Sequence, residues 1–229
     1  MKIADAGWVS FGSTVRGAGS FAVVIGVLAG ASGCGASMFD RSNGYDAQAC
    51  VENSLRRNPN PEAAEQVVAE LELGCRAHDA GACSALGVVK EMGVAGPKSF
   101  TAARNLYSRA CKDGNQRGCV NLGRLALDPS NGADMASARS LFTAACDAGE
   151  PSGCGELARM MAKDPSASPE LVSSTLSKGC SGGDALSCFE LAERDRSGQS
   201  VALYVQACVE GHEPSCMRIG GNKPRVARR

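Results

Sequence analysis

The sequence predicts an all-α protein, an α/α solenoid of antiparallel helical pairs stapled by disulfides. Three observations predict it. Ten of the twelve cysteines form five copies of Cys, seven residues, Cys: Cys75 with Cys83, Cys111 with Cys119, Cys146 with Cys154, Cys180 with Cys188, and Cys208 with Cys216. The first cysteine recurs after 36, 35, 34 and 28 residues, and a period in the thirties marks stacked supersecondary units rather than one globular core. Aligned on that cysteine, further columns of apolar and small residues recur at fixed offsets. An oxidisable pair in every unit also points to maturation outside the cytosol.

Composition narrows the function classes. Lys plus Arg equals Asp plus Glu at 24 each, so no global field draws the chain to nucleic acid or anionic lipid. With one Trp, three Tyr and six Phe, the chain suits close-packed short helices better than a deep aromatic-lined pocket. Basic residues alternate with acidic ones, which leaves no stacking platform for single strands. No nucleic-acid partner is expected.

Residues 1–33 read as a leader. Phe21–Ala31 (FAVVIGVLAGA) has the length of a signal-peptide apolar region, with Lys2 and Arg16 before it. The run before Phe21 is long for a leader and suggests a translation start downstream of Met1. The segment ends in Ala31-Ser32-Gly33-Cys34, which resembles a bacterial lipoprotein box with Ala31 where Leu is usual. That resemblance implies acylation of Cys34 as the new N-terminus. Gly35 follows Cys34, not Asp. In a Gram-negative cell the lipoprotein sorting rule then implies the outer membrane, on its periplasmic or surface face. The alternative is an ordinary signal peptide cut nearby, giving a secreted or soluble periplasmic protein. No stretch beyond the N-terminus is long and apolar enough to span a bilayer, so the membrane is reached by the lipid alone.

Residues 34–44 form a tether. The solenoid then covers 45–220, opening with a degenerate unit at 45–74. Cys50 stands 33 residues before Cys83, in register with the second cysteine of each pair, and Ser42 occupies its partner's place. Helices are expected around Ala47–Arg57 and Pro61–Leu73. The unpaired Cys50 is read as a thiol buried in the first of these, with crosslinking to another chain as the alternative.

The regular units share one plan. Four residues before the first cysteine stand Leu71, Tyr107, Phe142, Leu176 and Tyr204; one before it stand Gly74, Ala110, Ala145, Gly179 and Ala207. These are the inner stripe of a helix. Three residues after it come Gly114, Gly149, Gly183 and Gly211, with His78 in the fifth copy, where a left-handed residue would stop the helix. Small residues precede the second cysteine: Ala82, Gly118, Gly153, Ser187 and Ser215. A pair then follows, Leu86-Gly87, Leu122-Gly123, Leu157-Ala158, Leu191-Ala192 and Ile219-Gly220, a knob beside a small residue that admits a second helix. Each unit is two helices of roughly a dozen residues, separated by breaker-rich turns such as Gly93–Pro97, Asp128–Gly132 and Asp164–Pro169.

Ten cysteines admit many connectivities, and sequence alone does not choose among them. Five identical local spacings make nearest-neighbour pairing the simplest. Each bridge would join the end of one helix to the start of the next and contribute about 2–3 kcal/mol in the chain-entropy model. Metal ligation is disfavoured, because no C-x-x-C is present and only His78 and His212 exist. The 28-residue final spacing implies shortened helices around Asp195–Ser200. Residues 221–229, which carry Lys223, Arg225, Arg228 and Arg229, read as a basic flexible tail.

The segments Ala103–Cys111 (ARNLYSRAC) and Ala138–Cys146 (ARSLFTAAC), each followed by a Gly turn and a second cysteine, resemble the Sel-one-like repeat (SLR) family. The C-x7-C pairs make the chain similar to its Helicobacter cysteine-rich subtype, over roughly residues 61–220. Tetratricopeptide repeats are the next neighbour but lack these cysteines. The resemblance implies a TPR-like superhelix acting as an interaction scaffold. The usual first-helix Tyr is replaced by Val89, Leu125 and Met160, so the groove should be lined differently from the family's.

Family members are often named as penicillin-binding or β-lactamase-like proteins, so a β-lactam hydrolase is the alternative reading. Its Ser-x-x-Lys signature is absent; the nearest string is Thr175-Leu-Ser-Lys178, read as an ordinary helix end. His78-Asp79 and His212-Glu213 each share a turn and read as solvated. No catalytic residue and no cofactor are nominated. The expected role is a cell-envelope scaffold for a protein or peptide partner, with a spacer lacking any specific ligand as the other alternative.

Overall fold

The computed structural model describes residues 61–220, apart from Gly132 and Arg196. The leader, the tether, Cys34, Cys50, the helix expected at Ala47–Arg57 and the tail at 221–229 lie outside the described residues.

Among the described residues ten α-helices follow one another: α1 (Pro61–Arg76), α2 (Ala80–Met92), α3 (Phe100–Lys112), α4 (Gln116–Ala126), α5 (Met135–Asp147), α6 (Pro151–Ala162), α7 (Pro169–Ser181), α8 (Ala185–Arg194), α9 (Ser200–Val209) and α10 (Glu213–Arg218). A 3₁₀ turn, Pro129–Asn131, lies between α4 and α5. The even-numbered helices open with the second cysteine of a pair, and the odd-numbered ones close with the first. Residues 195–199 join two ten-residue helices, α8 and α9, the shortening that the last cysteine spacing implied.

Capping explains where the helices begin. Asp79, Asn115, Glu150 and Asp184 all stand four residues before a second cysteine, and each accepts a hydrogen bond from a first-turn backbone N–H of α2, α4, α6 or α8. Ser99, Asp134 and Ser168 do the same for α3, α5 and α7. Such caps each contribute about 1 kcal/mol. His212 holds the capping place before α10 without making a side-chain bond to the helix backbone.

Helix ends follow the Gly column. Gly114, Gly149, Gly183 and Gly211 have φ of 89°, 85°, 97° and 102°, and His78 adopts 64° at the same position. That left-handed residue reverses the chain so that the next helix can start. It also explains why α1 runs on to Arg76 instead of ending at Leu73: the helix continues through its cysteine, as in every other unit.

All five nearest-neighbour disulfides form. Cys75 bonds Cys83 with Cα atoms 4.5 Å apart, Cys111 bonds Cys119 at 4.6 Å, and Cys146 bonds Cys154 at 4.5 Å. Cys180 bonds Cys188 at 4.5 Å, and Cys208 bonds Cys216 at 4.8 Å. Cys83 and Cys188 are fully buried, and Cys119 is nearly so. Each of these three second cysteines therefore anchors its helix inside the stack.

Helices this close need a missing side chain beside the bridge. A Cβ on Gly118 would lie 2.7 Å from Ala110 Cβ, one on Gly153 2.8 Å from Ala145 Cβ, and one on Gly179 2.5 Å from Ser187 Oγ. The corresponding residues at the first bridge are Gly74 and Ala82. Only the last pair, Ala207 and Ser215, contains no glycine, and its bridge has the longest Cα–Cα distance.

The core repeats with the sequence. Leu71, Tyr107, Phe142 and Leu176 are fully buried, whereas Tyr204 in the last unit is half-buried. Tyr107 seats on Gly87 and Phe142 on Gly123: a Cβ on either glycine would come within 2.4 or 2.6 Å of the ring. Where the partner is the smaller Leu176, the facing residue is Ala158, and both sit in one buried cluster. Each helix packs on the next, and the first helices α2, α4, α6 and α8 also pack on one another in sequence. They form a continuous row.

Candidate functional site

The row of first helices carries an ordered set of charges. Two residues after the second cysteine stand Asn121, Glu156 and Glu190; five after it stand Arg124, Arg159 and Glu193. Residues three apart share one helix face, so each helix presents both positions toward its neighbour. Arg124 Nε donates to Glu156 Oε1 at 2.6 Å across α4 and α6. Within α6, Arg159 Nη2 lies 2.9 Å from Glu156 Oε1 and Nε 3.2 Å from Oε2. Arg159 Nη1 then reaches Glu190 Oε1 of α8 at 3.3 Å. Arg117 with Glu150 (3.7 Å) and Arg218 with Glu193 (3.1 Å) extend the ladder to either side.

Burial makes this ladder more than a surface decoration. Asn121 is buried and accepts from Arg124 Nη1 at 3.3 Å. Burial alone would raise the Glu156 carboxyl, but the hydrogen bond from Arg159 and the charges of Arg124 and Arg159 outweigh it and hold the group below its usual range. Burial likewise works against the Arg159 guanidinium, and Glu156, Glu190 and Asp184 outweigh it in keeping that charge. In α2 the equivalent residues are Ala85 and Val88, both buried and apolar. The row therefore changes character along its length, with Met92 exposed on α2, Lys163 after α6, and Leu186 and Glu193 exposed on α8.

The last unit has its own cluster. Phe189 lies 4.5 Å from the His212 ring and 6.0 Å from the Tyr204 ring, with Arg218 5.8 Å above Tyr204. Tyr204 Oη donates to Glu193, which raises the phenol's pKa.

The residues weighed from sequence as chemistry take ordinary places. His212 Nδ1 lies 2.8 Å from Ser215 Oγ, but Ser215 is fully buried at the staple and closed to a substrate. Asp79 caps α2, and His78 beside it is the left-handed turn residue. Thr175 is buried and donates to the Leu171 carbonyl at 2.8 Å, while Lys178 is exposed in the last turn of α7. Val89, Leu125 and Met160 are buried core residues that line no groove. Sequence reading missed two columns, the caps and the ladder. Their signal was present: Asp, Asn or Glu four before the second cysteine, and opposite charges one repeat less three residues apart, 32 for Arg124 and Glu156 and 31 for Arg159 and Glu190.

No family model matches the chain, and no curated protein does. Solved structures do. A protective antigen from uropathogenic Escherichia coli strains, described as displaying an SLR fold, superposes with a TM-score of 0.60 at 17% identity over 79% of this chain. This chain has the SLR fold. It covers 41% of the antigen's length. A Sel1 repeat protein from Oxalobacter formigenes gives a TM-score of 0.58 at 14% identity, covering 77% of this chain and 88% of its own. An immunity protein from Pseudomonas aeruginosa gives 0.54 at 16% identity, over 66% of this chain and 60% of that one. The three superpositions share the helical-repeat backbone with this chain.

Proposed function

We propose that the protein is an exported, lipid-anchored SLR scaffold of the cysteine-rich subtype that binds a protein or peptide of the cell envelope along its row of first helices. The observation that carries the reading is that row: stapled first helices packed on one another whose equivalent positions differ from repeat to repeat, buried Ala85 and Val88 on α2 against the ion-paired Arg124, Glu156, Arg159 and Glu190 on α4, α6 and α8. A surface that differs from repeat to repeat in this way discriminates among extended or helical partners, and stacked repeats present it without a closed pocket. Among the neighbours one is described as an immunity protein and another as a protective antigen, and a protein-binding surface is compatible with both. Five staples fit an oxidising compartment, and the Cys34 box supplies the anchor.

The test places a photo-crosslinking residue at Met92 or Lys163 on the row, and at Thr101 or Ser177 on second helices, in cells expressing the whole chain. Crosslinks to one discrete protein from the row positions alone are expected. Adducts from neither set, or equally from both, would overturn the reading. In the same cells Cys34→Ser should move the protein from the membrane to the soluble fraction, and unchanged fractionation would remove the lipid anchor from the proposal.

A further inference from the structure

One second helix differs from its counterparts. On α3, Asn105, Ser108, Arg109 and Lys112 face the turn between α1 and α2, and with His78 and Asp113 they line a solvent-open depression of about 390 Å³. The turn itself is unusual. His78 stands at φ 64° in a column that is otherwise glycine, and L-residues with a side chain are disfavoured there. A Cβ would meet nothing within 4 Å at Gly114, Gly149 or Gly211, so glycine is used in this column for its backbone and not to relieve crowding. The exposed imidazole of His78 is therefore kept against the backbone preference without gaining burial.

What it gains is a neighbour. His78 Nδ1 lies 3.4 Å from Arg109 Nη2. A guanidinium only donates, so Nδ1 accepts and the ring proton sits on Nε2, a second donor. Arg109 is also held by Asp113 at 3.8 Å. Among the described residues no carboxylate pairs with Lys112. Two cations, Arg109 and Lys112, against the one carboxylate of Asp113 leave a single positive charge from these three groups, beside the uncharged polar side chains of Asn105 and Ser108. The repeats supply internal controls. The residues matching Arg109 and Lys112 are Ala144 and Asp147 before the Gly149 turn, Lys178 and Ser181 in the next unit, and Gln206 and Val209 in the last. None rebuilds the set.

We propose that this depression binds a carboxylate, presented by an acidic side chain of a peptide. A planar guanidinium with an ammonium beside it suits a carboxylate monoanion, whereas Asp113 and the single net charge oppose a phosphate dianion. The site lies on the second-helix side, so it stands or falls separately from the first-helix row.

The experiment titrates the oxidised, ¹⁵N-labelled protein with N-acetylated, C-amidated triglutamate, and separately with inorganic phosphate. Saturable shifts of the Arg109 Nε–H and the residue 78 and 114 amides with the peptide are expected. Lys112→Gln should weaken binding about tenfold, as the loss of one charged contact implies, and Arg109→Gln with Lys112→Gln should weaken it further. The distinctive variant is His78→Gly. It should raise Tm by about 2–4 °C as the turn relaxes, and weaken peptide binding at the same time. Non-saturating shifts, equal shifts at the Gly149 turn, tighter binding of phosphate, or His78→Gly with unchanged affinity would each overturn the proposal.

Discussion

At the scale of single residues, the array is built on paired volumes. Tyr107 and Phe142 lie on glycines, and Leu176 on an alanine. Gly87→Ala should therefore cost about 1–3 kcal/mol by overpacking, since its Cβ would press 2.4 Å from the Tyr107 ring. Tyr107→Leu alone should cost about 2–4 kcal/mol through the void it leaves and the loss of its 2.7 Å hydrogen bond to Glu91. The double variant recreates the Ala158–Leu176 pair, so denaturant midpoints should show the two changes rescuing one another by at least ~1 kcal/mol. Simple additivity would mean that the glycines are there for another reason. This pairing was half-legible in the sequence. The apolar column and the small column were both visible, but which residue of one unit meets which of the next depends on helix crossing, which no spacing within a unit states.

At the scale of elements, the staples act unequally. Closing a loop this short contributes about 2–3 kcal/mol in the chain-entropy model, and a solenoid unit feels mainly its neighbours. Replacing Cys146 and Cys154 by alanine should lower the melting of the whole stack. Replacing Cys208 and Cys216 should instead release α10 alone, because a six-residue helix cannot persist unaided and its Cys216 is already half-exposed. Hydrogen exchange over residues 211–220, read beside the global Tm, separates the two outcomes. An equal fall in Tm for both pairs would contradict this picture. Element positions were legible because the cysteines fix the phase of every helix. The end of α1 lies three residues beyond Leu73 because the helix runs through Cys75 to Arg76 before His78 supplies the left-handed stop that glycine supplies elsewhere.

For the molecule as a whole, the charge ladder couples stability to acidity. Glu156 is held below its usual 4.5 by Arg159 and Arg124 despite partial burial. A carboxyl depressed in the folded state contributes stability above its unfolded pKa, and that contribution is lost as pH falls through the folded value. Tm should thus be level near neutrality and decline below about pH 4.5, and Glu156→Gln should flatten that decline while lowering Tm at pH 7. Parallel curves for the variant and the parent would show that the ladder is not the acid-sensitive element. The ladder escaped a reading of the sequence because its partners, Arg124 and Glu156, sit 32 residues apart, and only the packing of one first helix on the next makes them neighbours. Composition showed balanced charge without showing its order.

The five bridges also bear on how the chain comes to be oxidised. Each joins cysteines only eight residues apart, and 28 residues separate Cys83 from Cys111. In a chain delivered N-terminus first, each of these ten thiols therefore meets its own partner before the next pair emerges. Vectorial delivery turns a problem with many wrong connectivities into five successive local closures. Each finished hairpin then offers a ready surface for its successor. Refolding the fully reduced chain all at once removes that order, and it should scramble where stepwise emergence does not.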